Sequence, residues 1–234
     1  MARGTQLLEL IAQLRAETGR TQQVSVGTDE VENLKRIIRS TQETLYEDYE
    51  WPHMRVQRTV ALAAGSRYYN FPSDLNFDRI QEAKYKYNTV YTKLTRGITF
   101  DDYSIFDSNA STPERSEPAL KWDIRDTGSG EQLEIWPIPN AVREVYFFGT
   151  KSLGDLIQEA DRADLDDHLI VFFAAAGILA RQKSADAKLM AQKASNRLLT
   201  LRKNSQAASE PIQIGLGNKQ GDQSNRLKTR VIVS

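Results

Sequence analysis

The hydrophobic positions of this chain change their period three times. Between residues 5 and 18, Leu7, Leu8, Leu10, Ile11 and Leu14 recur at helical spacing, and Gly19 is a natural stop. Thr28 reads as an N-cap, with Asp29 and Glu30 favourably placed at the positive end of the helix dipole. Val31, Leu34, Ile37, Ile38, Thr41 and Leu45 then trace one face of a second helix that runs to about Asp48. Trp51-Pro52 ends it, because proline has no backbone donor and pushes its predecessor out of the α region.

From Val56 to about Gly149 the period shortens. "VQRTVAL" alternates, "AAGS" turns, and "RYYNF" is aromatic and extended. In "RIQEAKYKYNTVYTKLT", Tyr85, Tyr87 and Tyr91 flank Asn88 as a hairpin would have them. "ALKWDIRD", the turn "TGSG" and "EQLEIWPIP" make a second hairpin, and "REVYFFGT" adds another strand. Short strands with turn signals between them predict a small antiparallel sandwich or barrel. Residues 101–117 are polar and predict a short helix followed by an exposed loop.

The helical period returns at about Ala163. Asp164 or Asp166 is placed to cap a stripe of Leu165, Leu169, Phe172, Phe173, Ala176, Leu179, Met190, Ala194, Leu198 and Leu201. The stripe predicts one long helix of roughly 60 Å, with Gly177 and residues 183–186 as the places where it would kink or divide. Beyond Gln206 no pattern is able to bury itself. The predicted fold is therefore α+β. A helical core of two N-terminal helices and one long C-terminal helix carries an inserted antiparallel β-sandwich or barrel-like domain and an extended C-terminal arm. The expected divisions are 1–52, 53–150, 151–206 and 207–234.

Composition narrows the function more by exclusion than by assignment. Lys+Arg and Asp+Glu number 31 each, so no global charge favours wrapping nucleic acid. There is no cysteine, which removes disulfides, thiolate chemistry and Cys-based zinc sites. The longest apolar run, residues 169–180, is too short to cross a bilayer, and a soluble protein without membrane contact is expected. His53 and His168 lack ligand-like spacing. Asp166-Asp167 beside His168 falls at a predicted helix start, where acids serve the dipole, and Asp101-Asp102 lacks partnering acids. "GLGNKQG" follows no hydrophobic strand and is not a phosphate loop. Neither catalytic residue, metal nor cofactor is expected.

Three features remain. The tyrosines of "YKYNTVY" read as a sheet face, with base stacking as the rival. Arg181, Lys183, Lys188, Lys193, Arg197, Arg202 and Lys203 give the late helix a basic side, the default reading of which is solvation. The terminal "RLKTRVIVS" reads as an arm that adds a strand to an exposed sheet edge, anchored by Arg226, Lys228 and Arg230. The aromatics of "YEDYEWPHMRV" and "SRYYNFPSDL" have a structural explanation. Tyr46, Tyr49, Trp51, Tyr69 and Phe71 are expected to pack the seam where helix hands over to β insertion.

The order of "YEDYEWPHM", "AAGSRYYNFPSDL", "LEIWPIPNA", "VYFFGTKSL" and an Ala-rich helix after "DLDDH" resembles the head-to-tail adaptor, or connector, proteins of tailed bacteriophages, over roughly residues 28–205. It departs from that family in having no proline near the start of the last helix. The resemblance implies a structural virion protein at the head–tail junction, made in the host bacterial cytoplasm. Such proteins form a ring, typically of twelve copies, between the portal protein and a downstream tail protein (nozzle or tail tube). The ring surrounds passing genomic DNA without reading its sequence. By position, Arg226, Leu227, Lys228, Arg230, Val231, Ile232 and Val233 match the portal-binding arm, and Asp101–Glu117 is a candidate contact for tail proteins. The alternative reading is a DNA-binding or packaging accessory protein using the basic side of the late helix, and a virion-borne wall hydrolase is the third.

Overall fold

The computed structural model describes residues 3–20, 28–105, 118–128 and 130–207. Helix α1 (Leu7–Glu17) buries Leu7, Leu10, Ile11 and Leu14 and leaves Leu8 in solvent. Helix α2 (Thr28–Glu47) buries Leu34, Ile38 and Leu45. A single 3-10 turn, Pro52–Met54, follows, and the proline at its first position fits because its missing N–H would be unpaired there anyway.

Seven strands come next: β1 (Arg55–Leu62), β2 (Tyr68–Asn70), β3 (Leu75–Tyr87), β4 (Val90–Arg96), β5 (Lys121–Asp126), β6 (Glu131–Trp136) and β7 (Arg143–Lys151). A short helix, α3 (Phe100–Ile105), lies between β4 and β5. The strands form one curled sheet in the order β1-β7-β3-β4-β5-β6-β2. One face closes on a shared core, in which Phe147 meets Trp122 edge-on with ring centroids 5.2 Å apart. The expected antiparallel sandwich or barrel-like domain is met in part: the β insertion is present and curls around one core, but the described strands form one sheet and not two, and it is mixed, because β4 and β5 run parallel at Thr95–Lys121 and Arg96–Trp122. The excursion through α3 carries the chain back far enough for β5 to start beside β4 in the same direction, a connection a tight hairpin cannot make.

The turn at Asn88 and the hairpin of β5 and β6 form where the sequence places them. Asn88 takes a left-handed φ of 51°, which asparagine tolerates. Register slips in β3 around Ile80 bring its backbone close to Gly149 of β7. A Cβ on Gly149 would lie 2.8 Å from the Arg79 carbonyl, so this position admits only glycine without rearrangement.

The last helical region is two helices, α4 (Asp167–Arg181) and α5 (Asp186–Ala207), rather than the one long helix predicted. Lys183 takes φ 55°, its amide donates to Ala180 O, and the Ser184 amide donates to Leu179 O. Those two bonds make a Schellman stop with lysine where glycine is usual. The break falls in the 183–186 stretch, not at Gly177. Helix α4 packs against both α1 and α2, so helices from the two ends of the sequence share a core around Leu169, Ala175 and Ile178. The chain divides into two units after Leu198, within α5. Within the described residues no helix is long and apolar enough to cross a membrane.

Candidate functional site

The end of α2 is fastened to the sheet by groups from distant strands. A helix terminus leaves its last carbonyls without partners. Here Trp51 Nε1 donates to Leu45 O at 2.9 Å. Arg79 of β3 donates to Tyr46 O at 2.7 Å and Glu47 O at 2.8 Å, while its guanidinium lies 4.3 Å from the Tyr46 ring centroid. The Tyr46 hydroxyl donates to Lys151 O of β7 and accepts from Asn76 Nδ2, both at 3.0 Å. Tyr49 meets Trp51 edge-on at 5.1 Å. Tyr69 and Phe71 lie elsewhere, with the core of the sheet. Phe71 packs on Phe147 at 5.6 Å, and the Tyr69 hydroxyl reaches the Ala63 and Ser66 carbonyls. Burial pushes the Tyr69 phenol up to about 12. Arg79 and Asn76 have no sequence signature, since only folding brings β3 to the end of α2.

A buried carboxylate holds the root of the segment that begins at Asp101. Glu134 of β6 is fully buried and accepts from Arg67 Nε at 2.6 Å, Tyr103 Oη at 2.6 Å and Arg125 Nε at 2.9 Å. Burying an unpaired carboxylate would cost several kcal/mol, and three donors answer that cost. Arg67 also covers the Tyr103 ring at 4.2 Å, and Arg125 donates to Ile98 O at 2.7 Å. Asp102 accepts from the Thr99 amide and from Lys121 Nζ at 2.7 Å. The Lys121 ammonium, then the Thr99 amide, hold its carboxyl below the ordinary carboxylate range. Helix α3 is thus clamped at both Asp102 and Tyr103, while Phe100 stands 83% exposed. Residues 106–117 lie outside the described residues.

The acids at the start of α4 are structural. Asp166 is its N-cap, accepting from the Leu169 amide at 3.1 Å, and it also takes Arg197 of α5 through Nε at 3.1 Å and Nη2 at 2.7 Å. Asp167 is buried and accepts from the Thr5 hydroxyl. His168 is exposed and stacks on Phe172 at 6.0 Å. His53 Nε2 sits 3.0 Å from Asp164 O, and loss of solvent around its ring lowers its pKa. Among the described residues no three His, Asp or Glu side chains are grouped to hold a metal.

What remains for partners is surface. On the outer face of the sheet, Tyr91 and Tyr146 meet edge-on at 5.5 Å beside Phe148, in a depression of about 320 Å³ that also contacts Glu82 and Lys84. Of the three tyrosines of "YKYNTVY", Tyr85 is fully buried, and Tyr87 lies under Arg143 with the guanidinium 5.0 Å from its centroid. Strand β1 pairs only with β7 among the described residues, so its other edge is open along eight residues. A groove of about 270 Å³ runs between α2 and α4. On α5, Lys188, Lys193 and Lys203 are exposed, and Lys193 lies 5.9 Å from the Phe172 ring centroid. Arg226, Leu227, Lys228, Arg230, Val231, Ile232 and Val233 lie outside the described residues.

Residues 5–215 match the family described as SU10 adaptor protein. No curated protein matches the chain.

Proposed function

The chain belongs to the SU10 adaptor protein family, a phage head–tail adaptor family, and from that premise we propose that it joins the portal at the capsid vertex to the tail as a ring around the DNA channel. The observation that carries this reading is the family match, which spans residues 5–215 and so takes in both the helical core and the sheet. The ring has twelve copies. Residues 207–234 form an arm that docks on the portal through Arg226, Leu227, Lys228, Arg230, Val231, Ile232 and Val233. The segment Asp101–Glu117 meets the downstream tail protein, and the clamp of Glu134 on α3 supports it, because a contact segment needs a rigid root. Tyr46, Tyr49 and Trp51 transmit load between helices and sheet, and Tyr69 and Phe71 stiffen the core of the sheet itself.

Formal neutrality suits a channel through which DNA must slide, since each basic side chain that neutralises a phosphate adds to binding. An arm that docks on many portal copies at once gains avidity from modest single contacts. Removal of residues 207–234 is expected to leave a folded protein that no longer binds portal, read by mass measurement of the protein alone and mixed with portal. Unchanged portal binding by the truncated protein would sink the arm.

A second reading, a DNA-packaging accessory protein, is favoured by α5, whose own sequence carries Lys188, Lys193, Arg197, Arg202 and Lys203 against one acid, Asp186, and leaves Lys188, Lys193 and Lys203 exposed. It requires salt-dependent duplex binding by the isolated protein. No binding at low salt discards it.

A further inference from the structure

The groove between α2 and α4 has the composition of a socket. Its floor is apolar, made by Ile37, Phe173 and Ile178, and Gly177 leaves it open, since a Cβ there would touch nothing. Its rim carries Arg36 and Arg181, and no acidic residue lines it. Neither arginine has an acidic partner among the described residues. An apolar floor between two free guanidinium groups suits an apolar side chain flanked by carboxylates.

The loop before α4 presents such a group. Ile157 is 56% exposed between Asp155 and Glu159. The loop is pre-shaped: Leu156 is buried, and the Asp161 carboxylate accepts from the Ile157 amide at 2.8 Å and the Gln158 amide at 2.7 Å. The Leu8 amide ties the next turn down through Glu159 O at 3.2 Å. The two acids are only loosely engaged on their own molecule. Asp155 reaches Arg39 and Glu159 reaches Lys35 at 3.9 Å each, with both carboxylates mostly in solvent. Exposed pairs at that separation contribute little.

Knob and socket flank α2 on either side of its buried stripe. At about 100° per residue, the groove positions 33, 37, 40 and 41 lie roughly 150° around the axis from positions 32, 35 and 39, which border the loop, and Arg36 stands between them, lining the groove on one side and the loop on the other. One molecule therefore cannot fill its own socket, while two unlike patches on different sides of a subunit build a head-to-tail contact that closes into a ring when the rotation permits.

We propose that the Asp155–Glu159 loop of one copy seats Ile157 in the α2–α4 groove of the next, with its carboxylates against Arg36 and Arg181. This rests on the ring reading above and names the contact that makes the ring.

The cysteine-free chain makes the test direct. Ile157→Cys and Gly177→Cys are prepared separately and together in the full-length protein, with Ala61→Cys as a remote control. A disulfide requires Cβ atoms about 4 Å apart, so oxidation reports contact. The two single variants mixed are expected to give a 157–177 dimer, each alone none, and the double variant a ladder of higher oligomers. Arg36→Glu with Arg181→Glu is expected to weaken self-association about 100-fold, and adding Asp155→Lys with Glu159→Lys to restore it. Sedimentation of the unmodified protein, alone and with portal, separates the two levels of the argument. Assembly without the 157–177 cross-link, or cross-linking equal to the Ala61→Cys control, overturns this contact and leaves the ring standing. Absence of assembly in both conditions overturns the ring and the contact with it.

Discussion

At the scale of single residues, side chains that fasten one element to another carry more of the fold than any chemical group. Trp51 is buried, packs on Tyr49 and supplies a donor to Leu45 O, so Trp51→Ala removes a large ring and orphans a helix-end carbonyl together. A loss of about 3–5 kcal/mol in unfolding free energy is expected by chemical denaturation. A change below about 1 kcal/mol would mean the ring is not part of the junction. Glu134→Ala leaves Arg67, Tyr103 and Arg125 without their common acceptor and is expected to cost about 3 kcal/mol, the low end for a broken buried pair because Arg125 keeps contact with water. Asp102 adds a dependence on pH. Its folded-state pKa is lowered by Lys121, so its contribution is present above about pH 4 and is lost as the pH falls through the folded value. Lys121→Ala should therefore lower stability at neutral pH, and the two stability curves should converge in acid. Parallel curves down to the lowest pH measured would show that this pair contributes nothing.

At the scale of elements, the start and the end of α4 are each set by a short-range device. Asp166 both caps α4 and clamps Arg197 of α5. Asp166→Asn retains a capping oxygen but not the charge, whereas Asp166→Ala loses both. The alanine variant should be less stable than the asparagine variant by about 1 kcal/mol, the usual value of a cap. Equal losses would assign the whole effect to Arg197. At the other end, Lys183 holds a left-handed conformation that costs an L-residue about 1–2 kcal/mol. Lys183→Gly should be neutral or stabilising despite the added freedom of glycine in the unfolded chain, and Lys183→Val clearly destabilising. The reverse order would mean that the break between α4 and α5 is not maintained by this stop.

At the scale of the whole molecule, the sheet and the helical core are joined through Arg79, Tyr46 and Trp51, while the surfaces left open differ in character. The sheet shows aromatics and an open β1 edge, the α2–α4 groove shows arginines over an apolar floor, and α5 shows lysines. Each of these surfaces therefore offers a different chemistry. Zero formal charge sets the expectation for DNA: at physiological salt the isolated protein should show no duplex affinity beyond ordinary non-specific binding, in the range of about 10⁻⁴–10⁻⁶ M or weaker. Tight, salt-resistant binding would point instead to the packaging reading.

The sequence by itself determined whatever depends on neighbours a few residues apart. The period of 3.6 marked α1 and α2, and short extended runs between turn signals marked the strands, although β3 starts at Leu75, ahead of the run the sequence offered. Proline at position 52 marked the end of α2, and Asp164 or Asp166 the start of α4, where the structure chose Asp166 as the cap. The order of aromatic-proline stretches pointed to the adaptor family. The tertiary structure decided what depends on distant pairing. Register is chosen by which strand arrives alongside, so the parallel step between β4 and β5 and the slip at Ile80 left no local trace. Arg79 and Glu134 look like ordinary strand charges until folding gives one a helix end to cap and the other three donors to hold. The division of α4 from α5 lay between these cases: its place was among those the sequence offered, but a lysine in the conformation usual for glycine has no sequence signal.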